Sequence, residues 1–349
     1  MPRTEIKNLS RNQLASLLET RGVQPYRAAQ VFRWIYLRQT DRFEDMTDLS
    51  RPIRSGLADE LISRRLEISR IEISTDGSRK FLFTLEDGNQ IESVLIPEKE
   101  HHTLCISSQV GCAQGCRFCL TARGGFIRNL SPHEIISQIR DIQNRMTDSD
   151  RITNIVVMGM GEPLANYENL IQALDIITDA EAGLGFSSRR VTVSTAGLVS
   201  RFSDLACDAD INIAVSLNAS ENKTRDRLMP INRKFPIETL LQACRDYPLR
   251  PRRRITFEYI LIQGVNDSIE DACRLTRLLR GIKAKINLIP FNPHEGSEFN
   301  RPELPDILRF QKVLTEANYT AIIRFSKGQD ISAACGQLRA GCPSITEAV

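Results

Sequence analysis

From residue 103 to residue 325 the chain alternates short apolar runs with amphipathic stretches, and this alternation restricts the fold more than any other feature. Runs at 103–108, 153–158, 190–194, 211–217, 255–261, 286–290 and 320–325 have the length and β-branched content of strands. Helical spacing fills 167–178, 237–247, 268–279 and 305–317 between them. Ser131-Pro132-His133-Glu134 reads as a capping box opening a helix that ends near Asn144, and Pro236 suits the first position of the helix that comes after it. Six or seven strands mostly separated by helices imply an α/β fold with a parallel sheet and right-handed crossovers, either open or a barrel. In barrels the working residues sit on loops after the C-terminal ends of the strands.

The first hundred residues are patterned differently. Asn8-Leu9-Ser10 precedes Leu14, Leu17 and Leu18, and Gly22 ends that helix. Pro25-Tyr26-Arg27 opens a second helix carrying Ala28, Val31, Phe32 and Ile35, and a third runs near 53–62. Residues 66–97 alternate with period two, with Asp76-Gly77 and Asp87-Gly88 as hairpin turns. The expected division is a helical accessory domain over 1–65, a β-meander linker over 66–100, and a core over 101–349. Residues 1–70 hold 13 Lys/Arg against 9 Asp/Glu, whereas the chain as a whole carries +3, so the excess positive charge sits at the N-terminus. A basic module beside a near-neutral core suits a polyanionic partner. No apolar stretch has the length of a membrane span, and Met1-Pro2-Arg3-Thr4-Glu5 lacks the apolar run of a secretion signal. The expectation is a cytoplasmic protein with no membrane partner.

Nine cysteines, an odd number in a chain of this size, do not suggest a structural disulfide framework. Cys207, Cys244 and Cys273 lie in or near apolar helical patterns. Cys112-Ala113-Gln114-Gly115-Cys116-Arg117-Phe118-Cys119 is different, because it comes after the first strand of the β/α region, where a site loop belongs. Three thiolates on one short loop can hold three corners of a cubane cluster and leave the fourth iron open to a substrate, whereas electron-transfer clusters take four cysteines. The competing readings are a zinc site, which wants a fourth ligand, and a redox dithiol at Cys116 and Cys119, which leaves Cys112 unexplained.

This spacing, with the aromatic Phe118 before the third cysteine, resembles the signature of radical S-adenosylmethionine enzymes. The resemblance implies a partial (β/α)6 barrel and a 4Fe-4S cluster held by Cys112, Cys116 and Cys119. The open iron would chelate S-adenosylmethionine, and one electron would cleave it to a 5′-deoxyadenosyl radical. Met158-Gly159-Met160-Gly161-Glu162-Pro163 after the second strand looks like that family's Gly-Glu cofactor element, at Gly161 and Glu162. Ser194, the run Ser216-Leu217-Asn218, and Asn292 lie at three further strand ends. Polar groups converging on one rim are what a nucleoside pocket needs.

Further runs narrow the match: Glu92 within Ile91-Glu92-Ser93-Val94-Leu95-Ile96-Pro97; Cys105 upstream of Ser107-Ser108-Gln109-Val110-Gly111-Cys112; Gly125-Phe126-Ile127-Arg128-Asn129-Leu130; the sequence Asn-Leu-Ile-Pro-Phe-Asn-Pro over 287–293; and Ala333-Ala334-Cys335-Gly336-Gln337-Leu338. Singly, Cys105 and Cys335 read as inert thiols and Glu92 as a surface residue of an alternating strand. Together with the basic N-terminus, the arrangement closely resembles the RlmN/Cfr family of RNA adenine methyltransferases over nearly the whole chain. The resemblance implies methylation of C2 of an adenosine in the peptidyl-transferase centre of 23S rRNA and of a tRNA anticodon-loop adenosine, using two S-adenosylmethionine molecules per turnover. Cys335 would become S-methylcysteine, lose a hydrogen atom and add to the ring, giving a covalent protein–RNA adduct. Cys105 would resolve that adduct, leaving a Cys105–Cys335 disulfide, and Glu92 would be the proton acceptor. The complete N-terminal module favours the C2 branch over the C8-methylating branch. A non-catalytic iron–sulfur RNA-binding protein would not need Cys105 or Cys335, and a radical activase of another protein would not need the basic domain.

The implied partners are 23S rRNA, tRNA and a flavodoxin or ferredoxin as electron donor, with the enzyme a monomer. Candidate RNA contacts are Arg11, Arg27, Arg33 and Arg38, the run Arg250-Pro251-Arg252-Arg253-Arg254, Arg189-Arg190, and Arg233-Lys234. Cys342, seven residues beyond Cys335, is a further thiol able to form off-path disulfides.

Overall fold

The computed structural model describes residues 3–147 and 150–339. Cys342 and the rest of the expected core beyond 339 lie outside the described residues.

The chain opens with β1 (Thr4–Glu5), α1 (Arg11–Glu19), α2 (Arg27–Phe32), α3 (Arg51–Glu60) and β2 (Leu61–Ile62), with β1 and β2 paired in parallel. Ser10 caps α1 by accepting from Gln13 N while the Gln13 side chain accepts from Ser10 N. The β1–β2 pair was not legible in the sequence because each strand has only two residues. A buried polar clasp fixes this module to the core. Fully buried Arg140 donates to Ile35 O at 2.9 Å and Thr40 O at 3.1 Å, and Leu66 N donates to Asp141 Oδ2 at 2.8 Å.

The meander comes next as β3 (Glu67–Ile73), β4 (Arg79–Thr84) and β5 (Gln90–Pro97), all antiparallel. It is no free-standing spacer: β5 pairs with β6 (His102–Ile106), so the meander continues the core sheet beyond its first strand. After β6 come the hairpin β7 (Gln109–Gly111) and β8 (Phe126–Asn129), with the short α4 (Leu120–Arg123) between them. The wound region then runs α5 (Pro132–Gln143), β9 (Ile152–Val157), α6 (Tyr167–Thr178), β10 (Val191–Thr195), α7 (Phe202–Asp208), β11 (Asn212–Ser216), α8 (Asn222–Leu228), α9 (Ile237–Asp246), β12 (Ile255–Leu261), α10 (Ile269–Leu278), β13 (Ala284–Pro290), α11 (Leu304–Glu316) and β14 (Thr320–Ile323). Pro236 stands at the cap of α9 rather than at its first helical position.

The sheet order is β14-β13-β12-β11-β10-β9-β6-β5-β4-β3. Its seven wound strands are parallel and lie side by side in chain order, as right-handed crossovers of one hand require. The wound strands follow the order of the partial barrel that the resemblance implies, with β14 and the meander as the two edges of the sheet.

Register sorts the side chains into two faces. Val94 pairs with Cys105, Cys105 with Val156, Val156 with Thr192, Ser194 with Ala214, Ser216 with Glu258, and Glu258 with Asn287. Because side chains alternate along a strand, Glu92, Cys105, Ser194, Ser216, Glu258 and Asn287 share the inner face. Their neighbours of opposite parity, such as Leu104, Ile155, Val193, Val215, Phe257 and Leu288, are fully buried and form the layer beneath the helices. The apolar half of each strand builds the core, and the polar half lines a lumen.

Candidate active site

The three clustered cysteines sit on the loop that leaves the β7 side of the β7–β8 hairpin, just past the C-terminal end of β6. Cys112 N donates to Gly125 O at 2.8 Å, closing the hairpin. Gly111 makes this closure possible: its φ is +73°, and a Cβ there would lie 1.9 Å from Gly125 O. Arg117 N donates to Leu228 O at 3.0 Å and Cys119 N to Cys116 O at 3.1 Å, folding the loop back on itself. Beneath it Phe118 packs with Leu228, Met229, Ile231, Ile262, Phe291 and Phe299, a small apolar cluster separate from the main core.

Burial pushes the Cys112 thiol up to about 12, and nearby Cys119 and Glu162 push the same way. Cys116 is raised by burial and then by Cys119 and Cys112, while the Arg225 guanidinium opposes the rise. Three thiols crowded at one point in a desolvated site need a cation to be held as thiolates. Among the described residues no three His, Cys, Asp or Glu side chains converge as the ligand shell of a single ion.

Cys335 is delivered by a C-terminal segment stitched across the mouth of the barrel. Asp330 accepts from Ser74 Oγ at 2.6 Å and Thr75 N at 3.0 Å, and Lys80 Nζ donates to Ile331 O at 2.7 Å. On the far side Leu120 N donates to Gly336 O at 2.8 Å and Thr121 Oγ1 to Leu338 O at 2.7 Å. The Asn292 side chain donates to Cys335 O at 3.2 Å and to Ser326 Oγ at 2.9 Å. The segment therefore bridges from the meander to the cysteine loop, with Cys335 between. Cys335 is open to solvent, yet the surrounding protein pushes its thiol up to about 11, with Glu258 and Cys119 adding to the rise. Exposure and desolvation coexist where a side chain lines an interior recess. Cys105 lies buried on β6, its thiol raised by burial and then by Cys335. Both are free thiols, so the implied disulfide is not formed in this structure.

Glu92 is buried, only 3% exposed, which removes its reading as a surface residue. Its Oε2 accepts from Arg339 N at 2.8 Å, and its Oε1 lies 3.4 Å from Lys80 Nζ. Burial raises its pKa, and Lys80 opposes the rise. Glu162 is buried at the end of β9, accepting from Ala196 N at 2.6 Å and Leu164 N at 3.1 Å; burial pushes it up to about 7. Gly161 has φ +105°, and its backbone presses on Gln109. Ser194 and Ser216 face the lumen near the C-terminal ends of β10 and β11. Leu217 and Asn218 are more committed. Leu217 O accepts from Arg225 Nε at 3.0 Å, while the Asn218 amide binds Ile260 N and Met229 Sδ. Leu217 thus shapes the rim through its backbone and Asn218 through its side-chain amide.

Known proteins share this geometry. Residues 4–62 match the ribosomal RNA large subunit methyltransferase N-terminal domain, and residues 106–276 the radical SAM superfamily. A dual-specificity RNA methyltransferase RlmN of Desulfosudis oleivorans is 57% identical over 96% of this chain and 91% of its own length. The chain belongs to the RlmN family. The Geobacter sulfurreducens RlmN is 51% identical over 96% of this chain and 92% of its own. A crystal structure of a radical SAM methyltransferase from Sphaerobacter thermophilus superposes with a TM-score of 0.90 and 42% identity, covering 96% of this chain and 99% of that one. The protein is thus a radical S-adenosylmethionine RNA methyltransferase using a 4Fe-4S cluster and S-adenosylmethionine, with RNA as substrate. No helix among the described residues is long and apolar enough to cross a membrane.

Sequence reasoning missed several residues of the site. Arg225 is fully buried and donates to Ala196 O, Ser216 O, Leu217 O and Asn232 Oδ1, tying the loops after β10 and β11 together. Nothing in its helical context signals this. Glu258 did carry a signal, as a lone carboxylate inside an apolar strand. Several candidate RNA contacts are occupied otherwise, among them Arg253, which pairs with Asp210 and donates to Ile211 O. Arg11 pairs with Asp179 and Glu181, and Arg33 donates to Glu181 O, so both fasten the N-terminal module to the core.

Proposed function

We propose that this enzyme methylates C2 of an adenosine in 23S rRNA and of an adenosine in the tRNA anticodon loop, with Cys335 as methyl carrier, Cys105 as the resolving thiol and Glu92 as proton acceptor. The observation that carries this reading is the convergence of Cys335 with Cys105 and Glu92, which sit on paired neighbouring strands more than 200 residues earlier in the chain, on one lumen beside the cysteine loop. Cys112, Cys116 and Cys119 would hold the cluster, with Gly161, Glu162, Ser194, Ser216, Leu217, Asn218 and Asn292 around S-adenosylmethionine. When bound, these groups supply a methyl donor and a hydrogen-abstracting radical.

The chain's own residues do the rest. Cys335 accepts the methyl group on Sγ, and its exposure lets a flipped-out base approach. Burial raises the Cys105 thiol; to resolve the adduct it must lose its proton and attack Cys335 Sγ, breaking the bond from Cys335 Sγ to the transferred carbon, whose electron pair takes up a proton to complete the methyl group. The raised carboxyl of Glu92 suits it to take a proton from the ring carbon. Arg117 and Arg227 share Glu298 beside the cysteine loop, leaving a cationic rim that fits an acidic flavodoxin or ferredoxin. RNA substrates of this kind support a cytoplasmic location.

The test is mass spectrometry of RNA nucleosides from a host lacking its own adenine methylase, with Cys335→Ala as control. The reading expects 2-methyladenosine with the intact protein alone. Appearance of 8-methyladenosine overturns the choice of carbon. Methylation surviving in Cys335→Ala overturns the carrier role.

A further inference from the structure

Two side chains deep in the lumen take no part in methyl transfer, resolution or proton removal as assigned to the three groups at its mouth. Glu258 on β12 and Asn287 on β13 are register partners on the inner face, only 8% and 9% exposed. Asn287 Nδ2 donates to Glu258 Oε1 at 2.9 Å. A carboxylate can only accept, so this bond sets the amide orientation and turns Asn287 Oδ1 away from it. That oxygen is buried and accepts no hydrogen bond among the described residues. Glu258 Oε2 likewise receives none among them. Asn287 Oδ1 is thus a buried acceptor without a donor, which is costly, and the neighbouring Glu258 Oε2 is a second acceptor left open on the same face. Burial raises the Glu258 pKa to about 7, while the Asn287 hydrogen bond and then nearby Lys285 and Arg324 oppose the rise, so the acceptor form prevails above neutral pH; neither cation hydrogen-bonds to it. Ser216 is its register neighbour on the other side.

We propose that Glu258 and Asn287 form an acceptor pair that binds the exocyclic amine of the adenine presented to Cys335. An adenine amine has two N–H donors for the two acceptors, whereas guanine offers a carbonyl there and would be repelled. The position fits, because the Cys335 backbone is held by Asn292, just past the C-terminal end of β13, the strand that carries Asn287 beside Glu258. A base seated with its reacting carbon under Cys335 projects its amine toward the floor of the same recess. The inference rests on the carrier reading of Cys335. The other donor-rich molecule in the site is S-adenosylmethionine, through its ribose hydroxyls or ammonium, and the test separates the two.

The experiment uses cluster-loaded enzyme and an anticodon stem-loop RNA carrying either adenosine or purine riboside, which lacks the amine, at the target position. Methylation is read by mass spectrometry, and RNA affinity by fluorescence anisotropy. The wild type should lose at least about 100-fold in kcat/KM on purine riboside, as sites built to hydrogen-bond a substrate group do. Glu258→Gln and Asn287→Leu should lose activity on adenosine and discriminate adenosine from purine riboside by less than about tenfold, with KM for S-adenosylmethionine within about twofold of wild type. Wild-type enzyme that methylates both RNAs equally overturns the proposal, whatever the variants do. So does undiminished discrimination in the variants, or a selective rise in KM for S-adenosylmethionine. If wild-type Cys335 never gains a methyl group by protein mass spectrometry, it is the carrier reading that has failed.

Discussion

Replacing Gly161 by alanine probes how tightly the two halves of the site are joined. A Cβ at this position would lie 2.6 Å from Gln109 Cβ, 2.7 Å from its Cγ and 2.8 Å from its backbone N. Real contacts of that kind do not occur, so the backbone must move. The contact is with β7 of the cysteine hairpin, whose Gln109 N donates to Met160 O at 3.1 Å and whose Gln109 Oε1 accepts from Glu162 N at 2.8 Å. Alanine at φ +105° adds about 1–2 kcal/mol of backbone strain, and overpacking against a fixed backbone adds about 1–3 kcal/mol. The expected loss, adding the two, is about 2–5 kcal/mol. Gly88→Ala is the control, since Gly88 has φ +79° with nothing within 4 Å of its added Cβ and bears only the strain. Anaerobic urea unfolding of the two variants gives the difference, and equilibrium dialysis gives S-adenosylmethionine affinity. Gly161→Ala should be the less stable by about 1–3 kcal/mol and should bind the cofactor more weakly. Equal destabilisation of the two variants would refute the reasoning, because the close approach would then cost nothing.

Other outcomes depend on single residues. Cys105→Ala should leave the Cys335–RNA bond unresolved, so a slow-migrating protein–RNA species should accumulate on denaturing gels in the presence of both substrates. Arg225→Met removes donors from several carbonyls at once and should destabilise the fold by about 3–5 kcal/mol; a drop in the thermal midpoint together with reduced cluster loading is the expected result. Burial raises Glu258 from 4.5 to about 7, so the folded state holds this proton more tightly than the unfolded chain. Its contribution is most favourable below pH 4.5 and is lost as pH rises to about 7, with a ceiling of about 3 kcal/mol. Glu258→Gln should therefore gain stability relative to wild type across that window and plateau above it, whereas a constant difference from about pH 4 to about pH 8 would contradict the burial of this carboxyl.

Much of the fold was legible because its signals are local. The helix Tyr167–Thr178 and the strand Ile255–Leu261 fall where periodicity places them, since each carries a full period of apolar residues and a clear stop. The capping boxes at Ser10 and Ser131 formed because their partners lie three residues away. The β7–β8 hairpin was invisible because strands of three and four residues carry no usable period. The meander was legible as strands, but not as an extension of the core sheet, because pairing between β5 and β6 depends on the path of the chain and not on composition.

The same division runs through the site. The spacing of Cys112, Cys116 and Cys119 is written into eight consecutive residues, so a cluster loop could be read directly. The neighbourhood of Cys335, Cys105 and Glu92 could be reached from sequence only through resemblance, because segments more than 200 residues apart meet only when the sheet curls and the C-terminal segment crosses its mouth. Which face of a strand is the lumen is likewise a tertiary decision: alternation shows that Glu258 and Asn287 differ from their neighbours, but only the register across the strands sets them side by side with an acceptor to spare. Sequence alone determines the features set by nearest neighbours along the chain: helices, caps, turns and the cluster loop. Closing the barrel determines which polar groups lose their water, and so which of them need a substrate to replace it.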